Sequence, residues 1–335
     1  MKKRGIIAMS GGVDSSVAAT LLKKNGYDVV GVFLLMHNHS DPSDAKKVAK
    51  ILNIPFYVLD AQKEFKKRVV DYLINEYKKG NTPNPCVECN KWIKFRFLLE
   101  KALQLKADYI ATGHYVRLRR ISRRLTRLLT AQDMSKDQSY FLWTLKQNQL
   151  KKILFPIGDY TKEQVRAMAK KFGLPVFEKK DSQEICFIPD ADIRGFLKSR
   201  IHAERGPIVT IDGKKVGEHD GLVFYTIGQR KGIKIGGTGP YYVIKKDFKR
   251  NVLIVSKSQK DLLQKEMIVK NISWINKPPR IPCKCKVKIR STAPMVSATI
   301  KKNKVIFDKL QRAITSGQSA VFYNQNEVLG GGIIV

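Results

Sequence analysis

Apolar and polar positions follow two regimes along the chain. Up to about residue 200, compact apolar runs alternate with stretches in which apolar residues recur every three or four positions. Residues 5–9, 28–35, 56–59 and 108–112 read as buried strands. Between them, Ala45, Val48, Ala49 and Leu52 mark one helix, with Asp41 and Pro42 as its cap and first turn. Phe65, Val69, Tyr72 and Leu73 mark another, and Phe95, Leu98, Leu99 and Ala102 a third. Thr161 and Gln164 have the spacing of a capping box ahead of Val165, Met168, Ala169 and Phe172. Asp190 opens a shorter helix carrying Ile193, Phe196 and Leu197. Strands alternating with helices predict an α/β unit, a parallel sheet covered on both faces.

After about residue 205 the helical period disappears. Short strands are expected at 208–211, 241–245, 252–256, 286–290, 305–308 and 320–323, with turns at Asp212-Gly213 and Lys302-Asn303. The segment from Pro278 to Pro282 reads as a linker or rigid bend. The expected organisation is an α/β domain over 1–204 followed by two small all-β domains, 205–270 and 271–335.

Charge adds a partner to this picture. Lys and Arg number 63 against 29 Asp and Glu, a formal charge of +34. Such a surface attracts polyanions, RNA among them, although a generally Lys-rich composition would give the same count. No apolar run is long enough to span a bilayer, and the basic start passes at once into a short strand; no membrane association or export is expected. Five cysteines in 335 residues do not make a disulfide scaffold, and the expected setting is a reducing cytoplasm.

Two motifs carry chemistry. Ser10-Gly11-Gly12-Val13-Asp14-Ser15 lies at the first strand–helix junction. Its glycines allow a phosphate close to the backbone, and the helix start presents free N–H groups. Asp14 makes sense beside a phosphate mainly through Mg²⁺, and the absence of Gly-Lys-Ser or Gly-Lys-Thr excludes a Walker A loop. The second motif is Cys86-Val87-Glu88-Cys89, stiffened by Pro83 and Pro85, with Cys89 near a helix N-terminus where a thiolate is favoured. Cys186 follows in residues 181–188, DSQEICFI. Two thiols suffice for a persulfide relay; three could hold an iron–sulfur cluster with one open iron, Cys86 and Cys89 a structural zinc, and Cys186 could be core. Cys283 and Cys285 alternate on one strand face and read as structural. Arg117, Arg119, Arg120, Arg123, Arg124 and Arg127 form a basic hairpin or helix suited to RNA phosphates, or a solvated face. Trp92 and Tyr115 are weak candidates to stack on a base.

Over nearly its whole length the chain resembles the bacterial tRNA-specific 2-thiouridylase (MnmA) family of the PP-loop ATP pyrophosphatase superfamily. The resemblance rests on residues 8–15, 82–95 (TPNPCVECNKWIKF), 111–115 (ATGHY), 135–142 (SKDQSYFL), 181–188, 225–233 (YTIGQRKGI) and 316–323 (SGQSAVFY). It implies a PP-loop domain followed by two β domains. ATP would be held by Ala8, Met9, Ser10, Gly11, Gly12, Val13, Asp14 and Ser15, with Leu34 on the adenine side and Gly113 as a further contact. Asn84, Pro85 and Cys86 would lie near the target base, and His114, Lys136, Asp137, Gln138, Arg290, Ser291 and Gln318 would touch tRNA. The implied reaction is 2-thiolation of the wobble uridine. ATP adenylates the C2 carbonyl oxygen, sulfur carried as a persulfide on Cys186 replaces it, and Cys89 resolves the intermediate, with AMP and pyrophosphate released. An upstream sulfur-donor protein would load the persulfide. Many members have Asp where this chain has Cys86, which keeps open a cluster built on Cys86, Cys89 and Cys186. Another PP-loop ligase and a non-catalytic tRNA-binding protein are the remaining readings.

Overall fold

The computed structural model describes residues 2–180, 185–188, 190, 192–233, 235–236 and 239–335. The α/β part carries β1 (Arg4–Ala8), β2 (Asp28–Leu35), β3 (Phe56–Asp60), β4 (Tyr109–Ala111), β5 (Val116–Arg120), β6 (Thr126–Thr130) and β7 (Ile153–Leu154). Five of these form a parallel sheet in the order β3-β2-β1-β4-β7. Adjacent residues of β1 face opposite sides: Ile6 packs with Val32, Phe65, Leu73 and Ile93, and Ile7 with Val17, Phe33, Val48 and Val165. Both faces are therefore closed by helices, as the near-continuous apolar runs require. Strand order reverses between β1 and β4, and the crevice beyond their carboxyl ends is where such sheets bind ligands.

The capping box forms: Gln164 N–H donates to Thr161 Oγ1 at 3.2 Å, and Thr161 N–H to Gln164 Oε1 at 2.8 Å. The short helix Ile193–Lys198 is capped by Asp192 rather than by Asp190, because Asp192 Oδ1 accepts from Gly195 N–H at 2.8 Å.

Four further strands make a second sheet: β8 (Gly206–Thr210), β9 (Lys215–His219), β10 (Tyr242–Asp247) and β11 (Val252–Ser256), in the order β10-β11-β8-β9. The last six are β12 (Leu263–Trp274), β13 (Cys283–Lys288), β14 (Val296–Lys301), β15 (Lys304–Arg312), β16 (Ser319–Asn324) and β17 (Glu327–Ile334). Pairing of β12 with both β15 and β17 closes them into a barrel. β12 runs through residue 270 without a break, and residues 278–282 lie in the connection to β13. The Arg-rich segment is a hairpin, β5–β6, that docks on β17 through Glu327 and Leu129. Cys285 packs partly into the barrel core. Among the described residues no helix is long and apolar enough to cross a membrane.

Candidate active site

The phosphate loop leaves β1 and enters the helix Val13–Lys24 with Gly12 as its N-cap. Gly11 adopts φ +75°, which places it in glycine's territory, and a Cβ there would lie 3.1 Å from Asp44 Cβ. Ser15 Oγ accepts from Ser10 N–H at 3.2 Å and donates to Gly12 O at 3.2 Å, so the loop is closed on itself. Ala8 is half-buried at the end of β1, Met9 and Val13 are buried, and Ser10 is exposed. Leu34 is buried in the core beneath the crevice.

Asp14 is engaged from two directions. Its Oδ1 accepts from Tyr115 OH at 2.8 Å and pairs with Lys162 Nζ at 2.7 Å. Lys162 was not singled out by its sequence, although a lysine at the first position of a helix runs against the helix dipole and needs a reason. Asp14 is that reason. A second cation, Lys179, donates to Gly11 O at 3.2 Å and pairs with Asp44 at 2.8 Å. Two lysines thus stand beside the loop, Lys162 paired with Asp14 and Lys179 with Asp44. Tyr115, a weak stacking candidate from the sequence, is buried and hydrogen-bonded to the loop through Asp14.

The segment after β4 binds the site together. A Cβ on Gly113 would come within 2.7 Å of Ser15 N and 2.8 Å of Asp14 C, so the two loops meet backbone to backbone. The next residue, His114, is buried, with Nδ1 2.7 Å from Thr112 Oγ1 and its ring 5.6 Å from that of Phe95. Burial, aided by the Lys94 ammonium, holds its imidazole well below the usual value, so it is neutral. Gln138 Oε1 accepts from Tyr115 N–H at 2.9 Å, and Asp137 Oδ1 accepts from the amides of Ala131 and Ser139. Lys136 lies in the same loop.

The cysteine helix starts at Pro85–Cys89. Asn84 caps it, its Oδ1 accepting from Cys86 N–H at 3.1 Å, and Pro85 occupies the first turn where no N–H is needed. From Asn90 to Phe97 the helix changes to the wider π form. Asn90 donates Nδ2–H to the Cys86 carbonyl at 3.0 Å, while its buried Oδ1 has no partner among the described residues. Cys89 is buried, Sγ 3.9 Å from Met36 Sδ at the end of β2. Cys86 is half-buried and Cys186 is exposed beside the buried Phe187. Residues 181–184 of its motif lie outside the described residues.

The three thiols form one electrostatic group. Burial pushes Cys89 up to about 12 and raises Cys86; for both, the Lys94 ammonium pulls the other way and the Cys186 sulfur adds to the rise. Cys186 is raised too, by the crowding around its sulfur, even though its side chain reaches solvent, and again Lys94 opposes. The expectation of a thiolate at Cys89 is therefore overturned: loss of hydration outweighs the helix N-terminus. Among the described residues no three His, Cys, Asp or Glu side chains are arranged to hold a metal ion. Lys94 was invisible in the sequence. In an α-helix a residue five positions on lies about 140° around from Cys89, whereas the π form returns it toward the same face.

Arg290 donates Nη2–H to Ala313 O at 2.7 Å and to Thr315 Oγ1 at 2.8 Å, with Ser291 half-buried beside it. Gln318 donates Nε2–H to Thr82 O at 2.7 Å. Trp92 donates Nε1–H to Glu88, and Arg68 and Arg96 lie over its ring at 4.4 and 4.9 Å.

Comparison with known proteins agrees with this layout along the chain. Family models match residues 3–190 (described as a tRNA methyl transferase HUP domain), 194–257 (a tRNA methyl transferase PRC-barrel domain) and 264–334 (an aminomethyltransferase beta-barrel domain). The tRNA-specific 2-thiouridylase MnmA 1 of Geobacillus kaustophilus is 46% identical over 99% of this chain and 95% of its own length. The tRNA-specific 2-thiouridylase MnmA 2 of Thermoanaerobacter sp. is 48% identical over 100% and 98%. Among solved structures, a 4-thiouridine synthetase–RNA complex with bound ATP is 17% identical over 59% of this chain and 50% of that chain, with a TM-score of 0.40.

Proposed function

The chain belongs to the tRNA-specific 2-thiouridylase family, and from that premise we propose that it thiolates C2 of the wobble uridine of tRNA at the expense of ATP. The uridine O2 attacks the α-phosphorus, pyrophosphate leaves, and the base carries AMP on its former carbonyl oxygen. The terminal sulfur of a Cys186 persulfide attacks C2 and AMP departs with that oxygen. Cys89, its proton passing to the departing 2-thiouridine, then attacks Cys186 Sγ as the thiolate. The S–S bond to the base breaks, 2-thiouridine is released and a Cys89–Cys186 disulfide remains for an external thiol to reduce. The persulfide comes from a separate sulfur-donor protein, for which exposed Cys186 is the accessible acceptor.

The observation that carries this reading is the segment 112–115. Gly113 packs on the phosphate loop and His114 on Phe95 of the cysteine helix, so the nucleotide site and the thiols share one wall. Ser10, Ser15, Lys162 and Lys179 surround the polyphosphate position. Mg²⁺ bound to the polyphosphate would neutralise its charge; Asp14 is the only acid within the loop, and its Oδ1 already orients Lys162. The relay asks for two thiols, and Cys89 and Cys186 supply them.

Replacement of Cys89 or Cys186 by Ser separates the two half-reactions. Each variant should form no 2-thiouridine while still releasing pyrophosphate in the presence of tRNA. Pyrophosphate release that disappears together with thiolation would place the cysteines in ATP chemistry and defeat the relay.

A further inference from the structure

Residues 80–82, upstream of the cysteine motif, are gripped from two sides. Lys246 of β10 donates its ammonium hydrogens to Gly80 O and Tyr225 O, and it has no carboxylate partner among the described residues. Phe248 lies against Gly80 so closely that a Cβ there would be 2.3 Å from its Cζ. Thr82 Oγ1 is 3.2 Å from Thr226 Oγ1. From the barrel side, Thr82 N–H donates to Ser316 O at 2.8 Å, and Gln318 Nε2–H donates to Thr82 O at 2.7 Å. Gly317 adopts φ +91°, and a Cβ there would stand 2.9 Å from Thr82 N. Both backbone groups of Thr82 are thus taken by the barrel, and Gly80 is held by the middle sheet.

The chain beyond Thr82 is short and stiff. Pro83 and Pro85 are buried and have fixed φ, and between them Asn84 caps the helix that carries Cys86 and Cys89. A displacement at residues 80–82 has little slack in which to be absorbed before it reaches Cys86. We propose that residues 80–82 are a strap through which the two β domains set the position of the cysteine helix, with Lys246 and Gln318 as its positioning residues. The inference rests on the reading that this helix performs the sulfur step. It gives Gln318, whose family position suggests a tRNA contact, a role exerted through the Thr82 carbonyl.

The test uses the full chain with Lys246→Met, Lys246→Arg and Gln318→Met. Three quantities are measured: hydrogen exchange of the amides from Cys86 to Cys89, tRNA affinity at fixed salt, and the single-turnover thiolation rate at saturating tRNA with a low-molecular-weight persulfide. Lys246→Met and Gln318→Met should speed exchange in the cysteine helix and slow the saturated rate by about tenfold or more, leaving tRNA affinity unchanged. Lys246→Arg should restore both. Unchanged exchange in both Met variants overturns the strap. So does a loss confined to tRNA affinity, which would make Gln318 a direct contact. Wild type that forms no thiouridine at all would defeat the functional reading, while the exchange measurement still decides the strap.

Discussion

Cys89, the proposed resolving nucleophile, is shielded from solvent. Its thiol is buried against Met36 and pushed up to about 12, so at neutral pH it carries its proton and is a poor nucleophile. The Lys94 ammonium acts on all three thiols in the favourable direction. The sign of its effect is testable. A raised thiol pKa means that alkylation of Cys89 in the RNA-free protein should keep rising with pH through the alkaline range. In Lys94→Met the opposing influence is gone, so Cys86 and Cys89 should be alkylated more slowly at any pH below the thiol pKa, by about tenfold for each pKa unit added. Equal rates by peptide mapping would show that Lys94 does not act on the thiols.

At the scale of elements, the strand–helix alternation, the capping box and the phosphate loop were legible because each depends on neighbours in sequence. β2 coincides with its apolar run at residues 28–35, and Thr161 caps as its spacing demanded. What could not be read depends on partners far along the chain. β12 is mostly exposed and rich in Lys, Gln and Glu, and only its pairing with β15 and β17 makes it a strand. The π turns that bring Lys94 to the thiols leave no mark in an apolar spacing that an α-helix satisfies equally well. The thiols themselves were legible as a group, but their ionisation was not, since burial is a tertiary property. The contact between the segment after β4 and the phosphate loop gives a prediction at this scale. Gly113→Ala would place a methyl 2.7 Å from Ser15 N, against backbone that cannot rotate away. The helix start must shift, and its amides lose their aim at a phosphate. Tenfold to about a hundredfold slower pyrophosphate release is expected, with tRNA affinity unaltered. Normal release would show that this close approach does not shape the nucleotide site.

The whole molecule presents its charge unevenly, and the β5–β6 hairpin shows how. Its base is neutralised and docked: Arg127 pairs with Glu327 at 3.2 Å, and Arg117 donates to Thr130 O at 2.9 Å with Asp159 at 3.9 Å. Its outer end is different. Arg119, Arg120, Arg123 and Arg124 are exposed, and none has a carboxylate partner among the described residues; Arg120 rests on the Tyr109 ring at 5.5 Å. The hairpin leaves β4 by the same segment that touches the phosphate loop and is fastened at its other edge to the barrel, so it is a fixed basic arm beside the site. If it tracks RNA phosphates, each contact releases counterions, and affinity falls with salt in proportion to their number. Replacing Arg119, Arg120, Arg123 and Arg124 together by Gln should weaken tRNA binding and flatten the dependence of log affinity on log salt by about one for each phosphate no longer engaged. Pyrophosphate release at saturating tRNA should persist, because all four lie at the exposed outer end of the hairpin. A quadruple variant that keeps the wild-type slope would show that the arm is a solvated face and that the RNA lies elsewhere on the +34 surface.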